Sequence, residues 1–341
     1  MSDVLYRKYR PKKFSEVIGQ DHIVKVLEAE VKSGDISHAY LFSGTRGTGK
    51  TSLARIFAES IGTSKNDIYE IDSASNTSVD DIRNLNESVF TLPFESKYKV
   101  YILDEVHMLS KSASNALLKT LEEPPEHVVF ILATTETHKI PETVLSRCEG
   151  YSFKKPNVET LKKVVTAVAK KEGFTLADES SELIAILGDG SFRDTLGTLQ
   201  KVLSYSTDKK ISEDEVRLVT GAPKAELVQD CLSGIAKADL NLALTSVKSA
   251  VNQNIDISVF IKLLLHLARA TLLVKFKAEN IVKDDLSEKD LTFVRALSNN
   301  SNINSKTLVE LLTALERTSG SYIPSLPLEL AIVDLVNSNE K

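Results

Sequence analysis

The stretch "AYLFSGTRGTGKTSLARIFA", residues 39–58, changes its period twice within twenty positions. Residues 39–43 form a short apolar run that reads as a strand, glycines at 44, 47 and 49 break it, and Leu53, Ile56 and Phe57 then recur at helical spacing. A strand, a glycine-rich loop and an amphipathic helix in that order are the setting in which the pattern GxxxxGK[ST] holds phosphate. The glycines let the backbone curl so that its N–H groups face an anion at the start of the helix, where the helix dipole also favours negative charge. In "GTRGTGKT" (44–51), Lys50 is placed to reach phosphate oxygens and Thr51 to offer a hydroxyl to magnesium. The nucleotide-binding set read from this loop is Gly44, Thr45, Arg46, Gly47, Thr48, Gly49, Lys50, Thr51 and Ser52.

Such a site needs a second half: an apolar strand ending in an acid. "VYILDE" (100–105) supplies Asp104, expected to hold the magnesium with Thr51, and Glu105, expected to accept a proton from attacking water. "VVFILATTE" (128–136) ends a third strand on Thr134 and Thr135, either of which could hold that water or sense the γ-phosphate. In "GDGSFRDTL" (188–196), Arg193 sits in a first helical turn, where a cation opposes the dipole and is suited to reach back to phosphates; an ion pair with Asp194 or Asp189 is the structural alternative. His107, in "DEVHML", reads as a packed or capping residue, because no other helicase motif accompanies it.

Around these motifs, residues 21–132 alternate strand runs (39–43, 67–71, 100–103, 128–133) with helical periodicity, the mark of a parallel sheet covered by helices. After Pro156 the pattern is expected to be all helical. Ser212 with Glu215 forms a capping box for a helix that ends near "TGAP" (220–223), and about five further amphipathic helices follow. The expected fold class is α/β for an ATPase domain at 1–155, followed by a helical lid at 156–221 and an all-helical collar at 222–341.

Composition narrows the rest. With 341 residues the chain exceeds a single typical domain, and 42 Lys plus Arg against 47 Asp plus Glu leave a formal charge of -5, so any nucleic-acid contact must be local. Cys148 and Cys231, the only two cysteines, cannot make a four-thiolate zinc site. The most apolar run, 257–274, is interrupted by Lys262, His266 and Arg269 and reads as a buried helix, and with no leader sequence the expectation is a reduced, cytoplasmic protein without a membrane span.

Taken together, the runs "LYRKYRPKKFSEVIGQDHI" (5–23), "HAYLFSGTRGTGKTSLARIFA" (38–58), "EIDSASNTSVDDIR" (70–83), "YILDEVHMLSKSASNALLKTLEEPP" (101–125), "FILATTETHKIPETVLSRC" (130–148) and "GSFRD" (190–194) resemble the AAA+ ATPases, and within them the bacterial clamp-loader gamma/tau family of DNA polymerase III. The resemblance implies an ATP- and magnesium-dependent subunit of a ring-like pentamer. Its partners would be further gamma/tau copies, delta, delta-prime, a sliding clamp and primer-template DNA. It also implies that Arg7, Tyr9, Arg10 and Pro11, with Val17 and Ile18, cradle the adenine and ribose. Thr135 would be the strand-end sensor, Arg193 the lid arginine, and Arg147 of "SRC" would act in trans at a neighbouring subunit's ATP.

DNA contact would come from helix starts such as those in "SNTSVDD" (75–81) and "SKSASN" (110–115). One departure stands out: "AESIGTSKNDIYEID" (58–72) crosses, without a cysteine, the place where family members carry a four-cysteine zinc module, so no zinc site is expected. The expectation is a short gamma-type product without the tau tail. A non-hydrolysing delta-prime-like partner and a branch-migration motor are the alternatives. Intact Lys50, Thr51, Asp104 and Glu105 argue against the first, and the lack of a basic C-terminal cluster argues against the second.

Overall fold

The computed structural model describes residues 4–75, 79–283 and 286–337, with only the backbone described at Val79, Asp80, Asp81 and Arg83. The chain folds into two compact units, one of residues 1–160 with Gly190–Asp194, the other of Leu161–Asp189 with Thr195–Lys341.

Among the described residues of the first unit, five strands form one parallel sheet: β1 (Ala39–Ser43), β2 (Ile68–Asp72), β3 (Lys99–Asp104), β4 (Val128–Thr134) and β5 (Glu149–Ser152), in the order β2-β3-β4-β1-β5. The helices are α1 (Leu5–Lys8), α2 (Asp21–Ser33), α3 (Lys50–Ser60), α4 (Val79–Val89), α5 (Lys111–Glu122) and α6 (Glu142–Leu145). Strand alternation sorts the core into two layers. Leu41, Tyr101, Leu103, Phe130 and Leu132 face Ile82 and Leu85 of α4 and Leu117 and Leu121 of α5. Tyr40, Phe42, Val100, Ile102 and Ile131 face Ile23 and Leu27 of α2 and Leu53 and Phe57 of α3. Burying each such side chain stabilises by about 1.5–3 kcal/mol, which makes this sheet a rigid platform for whatever projects from its strand ends.

The four expected strands are all present, the second starting one residue later than expected. Asp67 instead closes a short 3-10 turn, and its buried carboxylate accepts from the N–H groups of Glu95 at 3.0 Å and Ser96 at 2.9 Å. The fifth strand, β5, has no counterpart among the expected runs, because "EGYS" is short and mostly exposed on one edge, so it carries no apolar period. Among the described residues it pairs with β1 alone, Tyr40 opposite Glu149 and Ser43 opposite Ser152.

The second unit is almost entirely helical. It contains most of α7 (Val158–Lys171), then α8 (Asp178–Leu187), most of α9 (Phe192–Tyr205) and α10 (Glu213–Thr220). The expected capping box is formed: Ser212 Oγ accepts from the Glu215 N–H while the Glu215 carboxylate accepts from the Ser212 N–H. Gly221 ends α10 in the left-handed conformation. Contrary to the all-helical expectation, β6 (Thr175–Leu176) and β7 (Lys210–Ile211) make a two-residue parallel pair, too short to show as a period.

Among the described residues six α-helices follow where about five are expected: α11 (Ala225–Lys237), α12 (Leu240–Asn252), α13 (Ile257–Lys275), α14 (Glu288–Leu297), α15 (Ser305–Thr318) and α16 (Leu326–Asn337). Helix α13 is long and apolar enough to cross a membrane by length and composition alone. In the unit it buries Phe260, Ile261, Leu264 and Ala268 and packs on α11, α14 and α15, as a core helix does.

Candidate functional site

The phosphate loop connects β1 to α3 at the C-terminal edge of the sheet. Gly47 has φ +76 and approaches Ser191 so closely that an added Cβ would lie 1.9 Å from its Oγ. Gly49, at φ +104, is the N-cap of helix α3 and supplies no side-chain cap, so it leaves the first N–H groups of the helix open to an anion. The buried Lys50 ammonium donates to the carbonyls of Gly44 at 2.7 Å and Thr45 at 3.0 Å, closing the loop on itself. Burial pulls the Lys50 pKa below its ordinary value, opposed by the negative charges of Glu105 and Asp104 and reinforced by Arg193.

The neighbouring β3 end completes the constellation. Thr51 Oγ1 donates to Asp104 Oδ2 at 2.8 Å, which brings together the hydroxyl and the carboxylate expected to share a magnesium. Two hard oxygen donors at adjoining strand and helix ends, beside a loop of the phosphate-binding pattern, suit that ion. Glu105 adopts φ +50, a conformation few non-glycine residues take, and Thr135 Oγ1 donates to its Oε2 at 3.1 Å. His107 is packed, as expected, yet it is also polar-bonded: its Nδ1 lies 3.1 Å from Thr134 Oγ1 and 3.4 Å from Glu105 Oε2, and its Nε2 lies 3.4 Å from Glu136 Oε1.

The Gly190–Asp194 segment belongs to the same unit as the loop. The Phe192 N–H donates to the Gly47 carbonyl at 3.0 Å, and Arg46 pairs with Asp194 at 3.2 Å. Of the two acids considered as ion-pair partners for Arg193, Asp194 is paired with Arg46 and Asp189 with Lys262 at 3.3 Å. The Arg193 guanidinium instead sits 6.0 Å from the ring centre of Tyr6, which Arg7 approaches at 5.9 Å. Tyr6 carries no sequence signal of this role, because its partner Arg193 is remote in the chain.

The N-terminal segment reaches the loop through Arg10, whose Nε donates to Ser52 Oγ at 2.9 Å. Burial lowers the Arg10 pKa, with Arg55 adding to the effect and Glu70 opposing it. Val17 packs against the α2 and α3 core face, and Ile18 is exposed. Tyr9 ends α1 and lies under the Lys8 ammonium, and Pro11 follows outside any helix or strand.

Arg147 lies elsewhere. It directly precedes Cys148 and the start of β5, and because β5 runs parallel to β1 in register, Arg147 stands beyond the N-terminal end of β1. The phosphate loop leaves the other end, so one strand length, about 15 Å, separates them. Arg147 Nη2 donates to Glu122 Oε1 at 2.6 Å and Nη1 to the Thr143 carbonyl at 2.6 Å, beside an open depression lined by Ser37, His38, Glu122 and Ser146. Its neighbour Cys148 packs on the core, and burial pushes that thiol up to about 11, which keeps it protonated and unreactive. Of the helix starts expected to meet DNA, Ser110 caps α5 by accepting from the Ala113 N–H at 3.1 Å, whereas residues 76–78 of "SNTSVDD" lie outside the described residues.

Known proteins share this sequence and fold. Residues 19–76 and 62–157 match a family model described as "DNA polymerase III, delta subunit", and residues 211–340 match "DNA polymerase III subunits gamma and tau domain III". The chain is 40% identical over 292 residues to the DNA polymerase III subunit tau of Bacillus subtilis, covering 80% of this chain and 52% of that one. It is 31% identical over 362 residues to the DNA polymerase III subunit gamma of Buchnera aphidicola subsp. Baizongia pistaciae, covering 99% and 98%. It thus spans about half the length of several tau and gamma/tau relatives and nearly all of that gamma relative. A solved structure of the Thermotoga maritima RuvB Holliday junction branch migration motor superposes with a TM-score of 0.54 at 24% identity, over 67% of this chain and 79% of that one, a likeness of fold.

Proposed function

Because the chain belongs to the gamma/tau family of DNA polymerase III subunits, we propose that it binds and hydrolyses ATP as one subunit of a clamp loader, driving placement of a sliding clamp on primer-template DNA during replication. The match of 211–340 to gamma and tau domain III favours this over a delta-prime-like role. In this reading residues 1–155 are the ATPase domain, 156–221 the lid and 222–341 the collar that joins subunits. The assembly comprises further gamma/tau copies with delta and delta-prime, in the cytoplasm.

The observation that carries the proposal is the Thr51–Asp104 contact at 2.8 Å, since it joins the phosphate loop to the acidic strand end in one site. Magnesium bound there would neutralise phosphate charge. The chain's own residues then divide the work. The loop N–H groups and Lys50 hold the phosphates, Thr51 and Asp104 hold the ion, and Glu105, steadied by Thr135, takes a proton from the attacking water. Arg193 faces the same phosphates, and the N-terminal set Arg7, Tyr9, Arg10, Pro11, Val17 and Ile18 bounds the base and ribose. Arg147, a strand length away, serves a neighbour's ATP.

The test is the ATPase rate of the chain with and without partner subunits, clamp and primer-template DNA. Strong stimulation by the complete set is expected; a rate indifferent to the clamp and DNA would reject clamp loading.

A further inference from the structure

Beyond the residues assigned to nucleotide and metal, the ends of β3 and β4 carry a closed polar network around one imidazole. The His107 side chain is only 6% exposed and stands between two carboxylates, Glu105 Oε2 at 3.4 Å from Nδ1 and Glu136 Oε1 at 3.4 Å from Nε2. Nδ1 also lies 3.1 Å from Thr134 Oγ1, which accepts from the Glu136 N–H at 3.0 Å. Glu136 is tied in turn to Lys139 at 2.8 Å. The hydrogen bond of Nδ1 goes to Thr134 Oγ1, and the two carboxylates flank the ring at ion-pair distance on either side. A buried imidazole needs no such arrangement merely to fill space, and an apolar side chain of similar volume would pack there without desolvating polar groups.

The carboxylate that His107 touches belongs to a residue that needs restraint. Glu105 has φ +50, and its side chain would otherwise be free to swing about an unfavourable backbone. Thr135, just past the end of β4, donates to Oε2, and His107 stands 3.4 Å from the same oxygen in the turn that follows β3. We propose that His107 is a positioning residue for hydrolysis, holding the Glu105 carboxylate in line for the attacking water by clamping it to the Thr134–Glu136 end of β4. This rests on the reading of Glu105 as the general base. A positioned base contributes about 10²–10⁴ in rate, and small misplacements forfeit a large part of it.

The side-chain geometry supplies the test. Asparagine can place an amide near the Nδ1 position and so keep the Glu105 contact. Glutamine reaches the Nε2 position and keeps only the Glu136 contact, and alanine keeps neither. In the assembled complex with clamp and DNA, His107→Ala and His107→Gln are expected to lower kcat for ATP about tenfold or more, and His107→Asn to recover most of it. KM and the affinity for a fluorescent ATP analogue should stay within about twofold. Equal kcat in all three variants and the wild type would overturn the proposal. So would a uniform fall in nucleotide affinity and Tm with no advantage for asparagine, because that is the signature of a packing role alone. A wild-type complex that hydrolyses no ATP would instead reject the reading of the site itself, independently of His107.

Discussion

Arg147 and Glu122 form an ion pair, Nη2 to Oε1 at 2.6 Å, at the end of the sheet opposite Lys50. Both side chains are partly exposed, 33% and 49%, and such a pair is worth at most about 1 kcal/mol, so Glu122 can orient the guanidinium without holding it captive. An arginine that is steadied, accessible and out of reach of its own phosphate loop is suited to a neighbouring subunit. Arg147→Ala should therefore leave ATP binding near normal while hydrolysis in the assembled complex falls by about 10³-fold at the sites it serves. Equal loss in the isolated chain would place its action in cis and reject this role.

Lys50→Ala removes the ammonium that bridges the Gly44 and Thr45 carbonyls and faces the expected phosphates. Nucleotide affinity should drop by about 100-fold or more and clamp loading should vanish. Isothermal titration of ATP with magnesium reads the first effect, and retained loading would sink the site assignment.

Gly47→Ala meets two obstacles at once. The residue sits at φ +76, and the new Cβ would lie 1.9 Å from Ser191 Oγ. The strain is of order 1–3 kcal/mol, so the phosphate loop must shift away from the Gly190–Asp194 segment. A lower Tm together with weaker ATP binding is expected in thermal melts with and without nucleotide; an unchanged melt would show that the loop has slack.

Glu182 carries the clearest pH dependence. Burial pushes its carboxyl from an ordinary 4.5 up to about 8, partly offset by Lys162, with Asp290 and Asp178 raising it further, and its Oε2 has no hydrogen-bond partner among the described residues. The folded state thus holds a proton that the unfolded chain releases, so its stability contribution is full below about pH 4.5 and is lost as pH rises through about 8. Glu182→Gln, which stays neutral, should melt near the wild type at pH 5 and above it at pH 9. A constant difference across that range would show that the carboxyl is not raised.

Much of this molecule is legible in its sequence. The local periods of 39–58 and 100–105 are enough to place strand, loop, helix and acids, because a phosphate loop is built from neighbours in the chain and its glycines, lysine and threonine keep fixed spacing. The Ser212–Glu215 capping box is legible for the same reason. Strand β5 is not, since a four-residue edge strand is specified by pairing with β1 and not by its own pattern.

His107 shows the limit most clearly. Its neighbours Glu105 and Thr134 come from different strand ends, and no spacing rule links them until β3 and β4 pair in register. Arg147 is similar: sequence supplies the residue and its resemblance, whereas the parallel direction of β5 decides that it stands a strand length from Lys50. Chemistry carried by adjacent residues is set by the order of the chain. Chemistry that depends on which ends of a sheet face each other is decided only when the long-range hydrogen bonds and the two core layers have closed.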